Sequence, residues 1–246
     1  MRFTDEQWLH ILDVWRSGQI GLSQVPRWGK YVERDQGARP QNSLQHPYAL
    51  VLLGKILLER LRRHVELDGE LVMTALLVHD HGEGEIGHDT LYIDKTVGGD
   101  VQEYLAFVRR YRQLDYDVFE VFRRAFLLQF VLKRPEAFPF EAREIMRVLR
   151  RDRYKEALAF EAIEYWDYVL YALEQYCERS NARILVQVLR NIAPHLDRLA
   201  GQLPGFWARI RWSGRRKKIH NMAGRLDRRK SIFFVGKRSR CMLICD

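Results

Sequence analysis

The 246-residue sequence predicts an all-α protein, a single helical domain over residues 1–208 followed by a basic tail over 209–246. Three observations carry that expectation. Apolar residues recur at three- and four-residue steps through most of the first 200 positions. No alternating strand pattern of useful length occurs before residue 230. Proline and glycine gather in short segments between the periodic stretches, where they end helices and start turns.

Taken in order, residues 18–42 read as loop, rich in Gly, Pro, Gln and Arg. Over Ser43–His64 the residues Leu44, Tyr48, Val51, Leu52, Ile56 and Leu57 define one apolar face, with Ser43 as the expected N-cap. A loop with Asp68-Gly69 leads to a second apolar helix from about Glu70 to Val78. HDHGEGEIGHDT (79–90), with its glycines and polar groups, reads as an irregular loop. Helical patterns resume over 100–113, 116–132, 141–150, 153–178 and 181–200, and Pro135 and Pro139 interrupt the segment 133–140.

An apolar content of 47% excludes wholesale disorder. The longest apolar runs, such as LVMTALLV (71–78), are too short to span a bilayer. The start, MRFTDEQWLH, has no apolar core behind a basic residue, so no signal peptide is expected. The net charge of +9 is unevenly placed: residues 1–208 hold 28 Lys+Arg against 30 Asp+Glu, whereas 209–240 hold 13 Lys+Arg and the single acid Asp227. The body is thus near neutral. The basic tail, with Trp212, Phe233 and Phe234, suits a nucleic acid or an acidic partner in a non-catalytic binding reading. Three cysteines (Cys177, Cys241, Cys245) are too few for a disulfide framework and favour a cytoplasmic location.

Chemistry concentrates at His79-Asp80, which closes an apolar helix. A helical hairpin would bring His46, at the head of the preceding helix, beside this pair. Two imidazoles and a carboxylate suit a divalent ion with nitrogen and oxygen ligands.

His46, then His79-Asp80, then a downstream acid resembles the H…HD…D signature of the HD phosphohydrolase superfamily. That family is all-helical and metal-dependent. The segment HDHGEGEIGHDTLYIDK is similar to the HDxxEAxxGDxxxxxK loop of bacterial 5′-deoxynucleotidases and related small HD proteins. The resemblance aligns Glu83 and Gly87 directly. Asp89 follows after a one-residue insertion, His88, which keeps Lys95 in register; His88 in place of that aspartate loses the lysine. Glu103 looks like the glutamate of the next helix. For the final ligand the resemblance favours Glu164 in FEAIEYWDYVLYALEQY (160–176), with Asp167 one turn away as the alternative. Arg27-Trp28 resembles an upstream pair whose arginine binds phosphate and whose tryptophan disfavours a 2′-hydroxyl.

The resemblance therefore implies one divalent ion (Co, Mn, Mg, Fe or Zn) on His46, His79, Asp80 and Glu164. It assigns Glu83 and Asp89 to catalysis, and Arg27, Trp28 and Lys95 to a small nucleotide, foremost a deoxynucleoside 5′-monophosphate. It also implies a homodimer. A triphosphate, an alarmone or a phosphodiester is the alternative substrate, for which Arg109, Arg110 and Arg112 offer further cations. His81 and His88 lie close enough in sequence to serve a second metal.

Overall fold

The computed structural model describes residues 4–28, 39–89, 95–133, 135–179 and 181–206. The tail 209–246, with Trp212, Phe233, Phe234, Cys241 and Cys245, lies outside the described residues. The elements in order are α1 (Asp5–Gln24), β1 (Pro26–Arg27), β2 (Gln41–Asn42), α2 (Gln45–Leu61), α3 (Gly69–Val78), α4 (His81–Ile86), α5 (Val97–Tyr111), α6 (Tyr116–Leu128), a 3-10 turn (Pro135–Ala137), α7 (Phe140–Asp152), α8 (Tyr154–Arg179) and α9 (Ala182–Gln202). The fold is all-α with one two-stranded ribbon. No described helix is long and apolar enough to cross a membrane.

The described residues form two compact units, 4–28 with 40–161, and Arg39 with 162–206. In the first unit α2 packs on α3, α3 on α6, α6 on α7, and the short α4 is held between α1 and α5. An aromatic ladder fills its centre: the Phe107 ring stacks on Phe126 at 4.2 Å and on Tyr111 at 4.3 Å. In the second unit α9 starts at Asn181, whose side chain accepts from the Ile184 amide. There the Tyr165 ring lies 5.2 Å from His195, and Arg39 is tied down by Glu174, Gln175 and Tyr171.

Local chemistry differs from expectation in four places. The Thr4–Gln7 capping box starts a 20-residue α1, and residues 18–24 continue it instead of forming loop, with Gly18 and Gly21 lying against His81 and Gly84 of α4. Ser43 does not cap α2; the Asn42 side chain accepts from the Leu44 and Gln45 amides, and Ser43 is fully buried. The expected apolar face of α2 is largely the solvent face: Leu44, Tyr48, Leu52 and Ile56 are exposed, while His46, Pro47, Leu50, Gly54, Leu57, Leu58 and Leu61 are buried. Residues 44–58 are apolar almost all round, so the spacing alone does not choose between the two faces.

The fourth difference concerns 79–90, where residues 81–86 are helical. Its glycines serve close packing. A Cβ on Gly82 would stand 2.3 Å from the Glu103 carbonyl oxygen, and one on Gly21 would stand 2.7 Å from that of Gly84. Both α1 and α5 therefore approach α4 at backbone distance, and only glycine fits. Gly87 then ends α4 in the left-handed region, at φ 87°. Gly82→Ala should cost about 2 kcal/mol in urea unfolding, as overpacking does. Gly98→Ala in α5, where an added Cβ comes no closer than 4.0 Å to Thr96 Oγ1, should be neutral or slightly stabilising.

Candidate metal centre

The centre of the first unit is built where α3 stops. The His79 amide still bonds to the Ala75 carbonyl, but Asp80 sits at φ −90°, ψ 0°, in the bridge region between α3 and α4. That turn throws both side chains inward: His79 is 2% exposed and Asp80 3%. His46, one residue inside α2, is fully buried opposite them, its ring centroid 5.2 Å from that of His79. Ring nitrogens of the two histidines come within 4.8 Å of each other.

Hydrogen bonding fixes the chemistry of His79. Its Nδ1 lies 3.1 Å from the Leu76 carbonyl oxygen. A carbonyl can only accept, so Nδ1 carries the proton and, in the neutral ring, Nε2 carries the lone pair. That Nε2 is 3.0 Å from Asp80 Oδ1, and His46 Nε2 is 3.8 Å from Asp80 Oδ2. A lone pair does not face a carboxylate oxygen at such a distance without a positive centre between them. Either an added proton or a metal ion satisfies it, and two ligands at about 2.1 Å from one ion stand about 3 Å apart. The backbone-held tautomer is the one that metal-binding histidines use. The donor set therefore fits a divalent ion.

Asp80 is the electrostatic hub. Burial pushes its pKa up, but His79, Arg27 and His46 outweigh burial and hold it well below the usual carboxylate range. Arg27 is placed by the ribbon: Pro26 pairs with Asn42 and Arg27 with Gln41, antiparallel. Its buried guanidinium puts Nη1 2.6 Å from Asp80 Oδ2 and 3.8 Å from Glu83 Oε2. The next residue, Trp28, has φ 62° and donates from Nε1 to Gln41 Oε1 at 2.9 Å. The indole is thereby fixed beside Arg27 and is itself buried.

Glu83 occupies the first turn of α4, 1% exposed. Burial, reinforced by Asp80, pushes its pKa well above the usual range, against the pull of Lys95. Asp89 is close enough to add to that upward push. Lys95 meets two carboxylates, with Nζ 2.9 Å from Glu83 Oε1 and 3.3 Å from Glu103 Oε2.

The helix α8 runs unbroken through residues 154–179. The Phe160 ring lies edge-on to His79 at 5.6 Å. Glu164 stands one turn beyond Phe160 on the same helix face, and Asp167 two turns beyond. Glu164 accepts from the Tyr168 hydroxyl at 2.7 Å.

The structure thus brings together Arg27, Trp28, His46, His79, Asp80, Glu83 and Lys95 within the first unit. The three arginines at the C-terminal end of α5, Arg109, Arg110 and the capping residue Arg112, do not act as a set. Arg110 is paired with Glu85 at 3.1 Å and Asp13 at 2.5 Å, while Arg109 and Arg112 are exposed. His81 bonds to the Tyr111 hydroxyl, burial pushes its pKa down to about 4, and His88 is exposed. Sequence reasoning missed Gln41, which anchors Trp28, and Gln129, which donates to the His79 carbonyl at 3.0 Å. Neither lies in a motif. Only the structure pairs them with the site.

Residues 43–147 match the family model of the HD domain. The match spans His46, His79, Asp80, Glu83, Lys95 and Glu103, and ends before Glu164. It supports the HD superfamily of metal-dependent phosphohydrolases for this segment, whose members bind divalent metals. No curated protein and no solved structure gives a match.

Arg27→Met leaves the buried Asp80 with one counter-charge fewer. In chelator, urea unfolding should show a loss of about 3 kcal/mol. A divalent ion should restore more stability to the variant than it adds to the parent, because it supplies the missing positive charge.

Proposed function

We propose that the protein is a metal-dependent phosphohydrolase that removes phosphate from a small nucleotide, foremost a deoxynucleoside 5′-monophosphate. The observation that carries this reading is the convergence of three groups on one ionised, buried carboxylate. Two imidazole nitrogens and a guanidinium all lie within 3.8 Å of Asp80 oxygens. Imidazoles and a carboxylate make a ligand set, and a buried guanidinium fork matches phosphate oxygens bidentately.

In this reading His46, His79, Asp80 and Glu164 hold one divalent ion, with Co, Mn, Mg, Fe and Zn all compatible with nitrogen and oxygen donors. Glu164 is favoured over Asp167 by the apolar spacing downstream of it in 160–176, with Asp167 one turn away as the alternative. When bound, the ion supplies Lewis-acid polarisation of a phosphoryl oxygen. Arg27 binds the remaining phosphate oxygens and stabilises the charge that develops on them. Glu83 takes a proton from the attacking water at Oε2, the oxygen that faces Arg27. As the bond from water oxygen to phosphorus forms, the bond from phosphorus to the sugar 5′ oxygen breaks, and Asp89 delivers the proton that this oxygen needs. Trp28, held by Gln41, closes the space a ribose 2′-hydroxyl would require.

Metal analysis of the purified protein and phosphate release from mono-, di- and triphosphates test this together. The His79→Ala, Asp80→Ala double variant should lose both metal and turnover. Glu83→Ala should keep its metal and lose about 100-fold or more in rate. Full activity in the double variant would overturn the metal reading. A finer test is Trp28→Ala, which should raise activity on ribonucleotides relative to deoxynucleotides by about tenfold, the scale of one pocket contact. An unchanged ratio removes the steric role.

A further inference from the structure

We propose that Lys95 is a positioning residue, held by Glu103, that fixes Glu83 Oε1 so that Oε2 alone is presented to the reacting water. Lys95 then does not serve as a ligand for the substrate phosphate. The role in reaction rests on the phosphohydrolase reading; the three-residue relay rests on geometry alone.

Four observations converge on it. The two oxygens of Glu83 are inequivalent: Oε1 accepts from Lys95 Nζ at 2.9 Å, whereas Oε2 is buried, without a hydrogen-bond partner among the described residues, and 3.8 Å from Arg27. A buried carboxylate oxygen left in that state is aimed at something that donates to it. Second, Lys95 is bound on its far side as well, by Glu103 Oε2 at 3.3 Å. An ammonium between two buried carboxylates has its charge committed, and turning it toward a phosphate would strand both acids.

Third, both ends of the relay are fixed by backbone. Lys95 immediately precedes Thr96, whose hydroxyl caps α5 by accepting from Gly99 at 3.1 Å. Gly82, next to Glu83, touches the Glu103 carbonyl so closely that no side chain fits between them. The distance from Glu83 to Glu103 is thus set by the contact of α4 with α5, and one lysine spans it. Fourth, the other acid of that turn, Asp100, has its own cation, Lys133 at 3.4 Å, so it does not compete for Lys95.

A phosphate ligand and a positioning residue behave differently when removed. Lys95→Met should lower kcat by about 10- to 100-fold, the cost of a misplaced reacting group. Inhibition by inorganic phosphate should change less than twofold. Carboxyl carbon NMR of Glu83 in the metal-free protein provides a readout independent of turnover. Its titration should move up in Lys95→Met, which removes a cation, and down in the near-isosteric Glu103→Gln, which releases Lys95 wholly to Glu83. The acid limb of the rate profile should move the same way in each variant, and Lys95→Arg should recover most of the rate.

If Lys95→Met weakens phosphate inhibition tenfold or more while the Glu83 titration stays still, Lys95 is a phosphate ligand and the proposal fails. If neither variant moves the Glu83 titration, it fails as well. If both titrations move in opposite directions but the parent releases no phosphate from any nucleotide, the relay stands and the phosphohydrolase reading falls.

Discussion

A carboxylate that is both buried and ionised is the constraint on which the first unit depends. Removing Asp80 from water costs several kcal/mol unless positive charge and hydrogen-bond donors surround it. The chain supplies them from separate elements: Arg27 from β1, His46 from the start of α2 and His79 from the end of α3. Each requires a particular backbone arrangement. The ribbon must pair Arg27 with Gln41, α2 must begin close to residue 45, and α3 must break at Asp80 instead of running on. The short ribbon in an otherwise helical fold has its reason here, since it delivers a guanidinium to the corner where the start of α2 and the end of α3 meet.

The next turn of chain carries a second buried acid, three residues after the first. Glu83 and Asp80 raise each other's cost of ionisation, and Lys95 and Arg27 offset part of it from opposite sides. Such a pair is stable only where α4 sits at fixed distance from α1 and α5. The glycines at 21, 82 and 84 set that distance by removing side chains from both contact lines. What looks like a glycine-rich loop is thus a helix wedged at van der Waals contact, and its polar residues are oriented by its neighbours.

Much of this was legible in the sequence. Helices with one apolar stripe and clear stops, such as α5 to α9, fall within a few residues of their expected bounds, because Pro135, Pro139 and the polar breaks interrupt the period. The packing of α2 on α3 sets the His46 ring 5.2 Å from that of His79, as a helical hairpin requires. Three things were not legible, each for a physical reason. The inward face of α2 was hidden because both its faces are apolar, and the polar His46 marks the inside. The helix at 81–86 was hidden because glycine has low intrinsic helix propensity, and only tertiary packing makes it the required residue there. The partners of Lys95 were hidden because a lysine at that spacing suits a phosphate as readily as two carboxylates.

The distribution of cations also bears on the proposed substrate. A triphosphate brings about three to four negative charges into a pocket, and hydrolases of such groups meet them with several cations. Among the described residues the cations of the first unit near the centre are largely committed to acids. Arg110 bonds Glu85 and Asp13, Lys133 meets Asp100, and Lys95 bridges Glu83 and Glu103. Arg27 differs in kind: its partner, Asp80, is also shared by two histidines, so a divalent ion at those ligands would take over the charge that Arg27 now balances. The guanidinium could then turn its fork to an anion while that ion balances Asp80 and Lys95 stays on Glu83. One such exchange accommodates one phosphate group, which is the electrostatic reason the reading favours a monophosphate over a triphosphate.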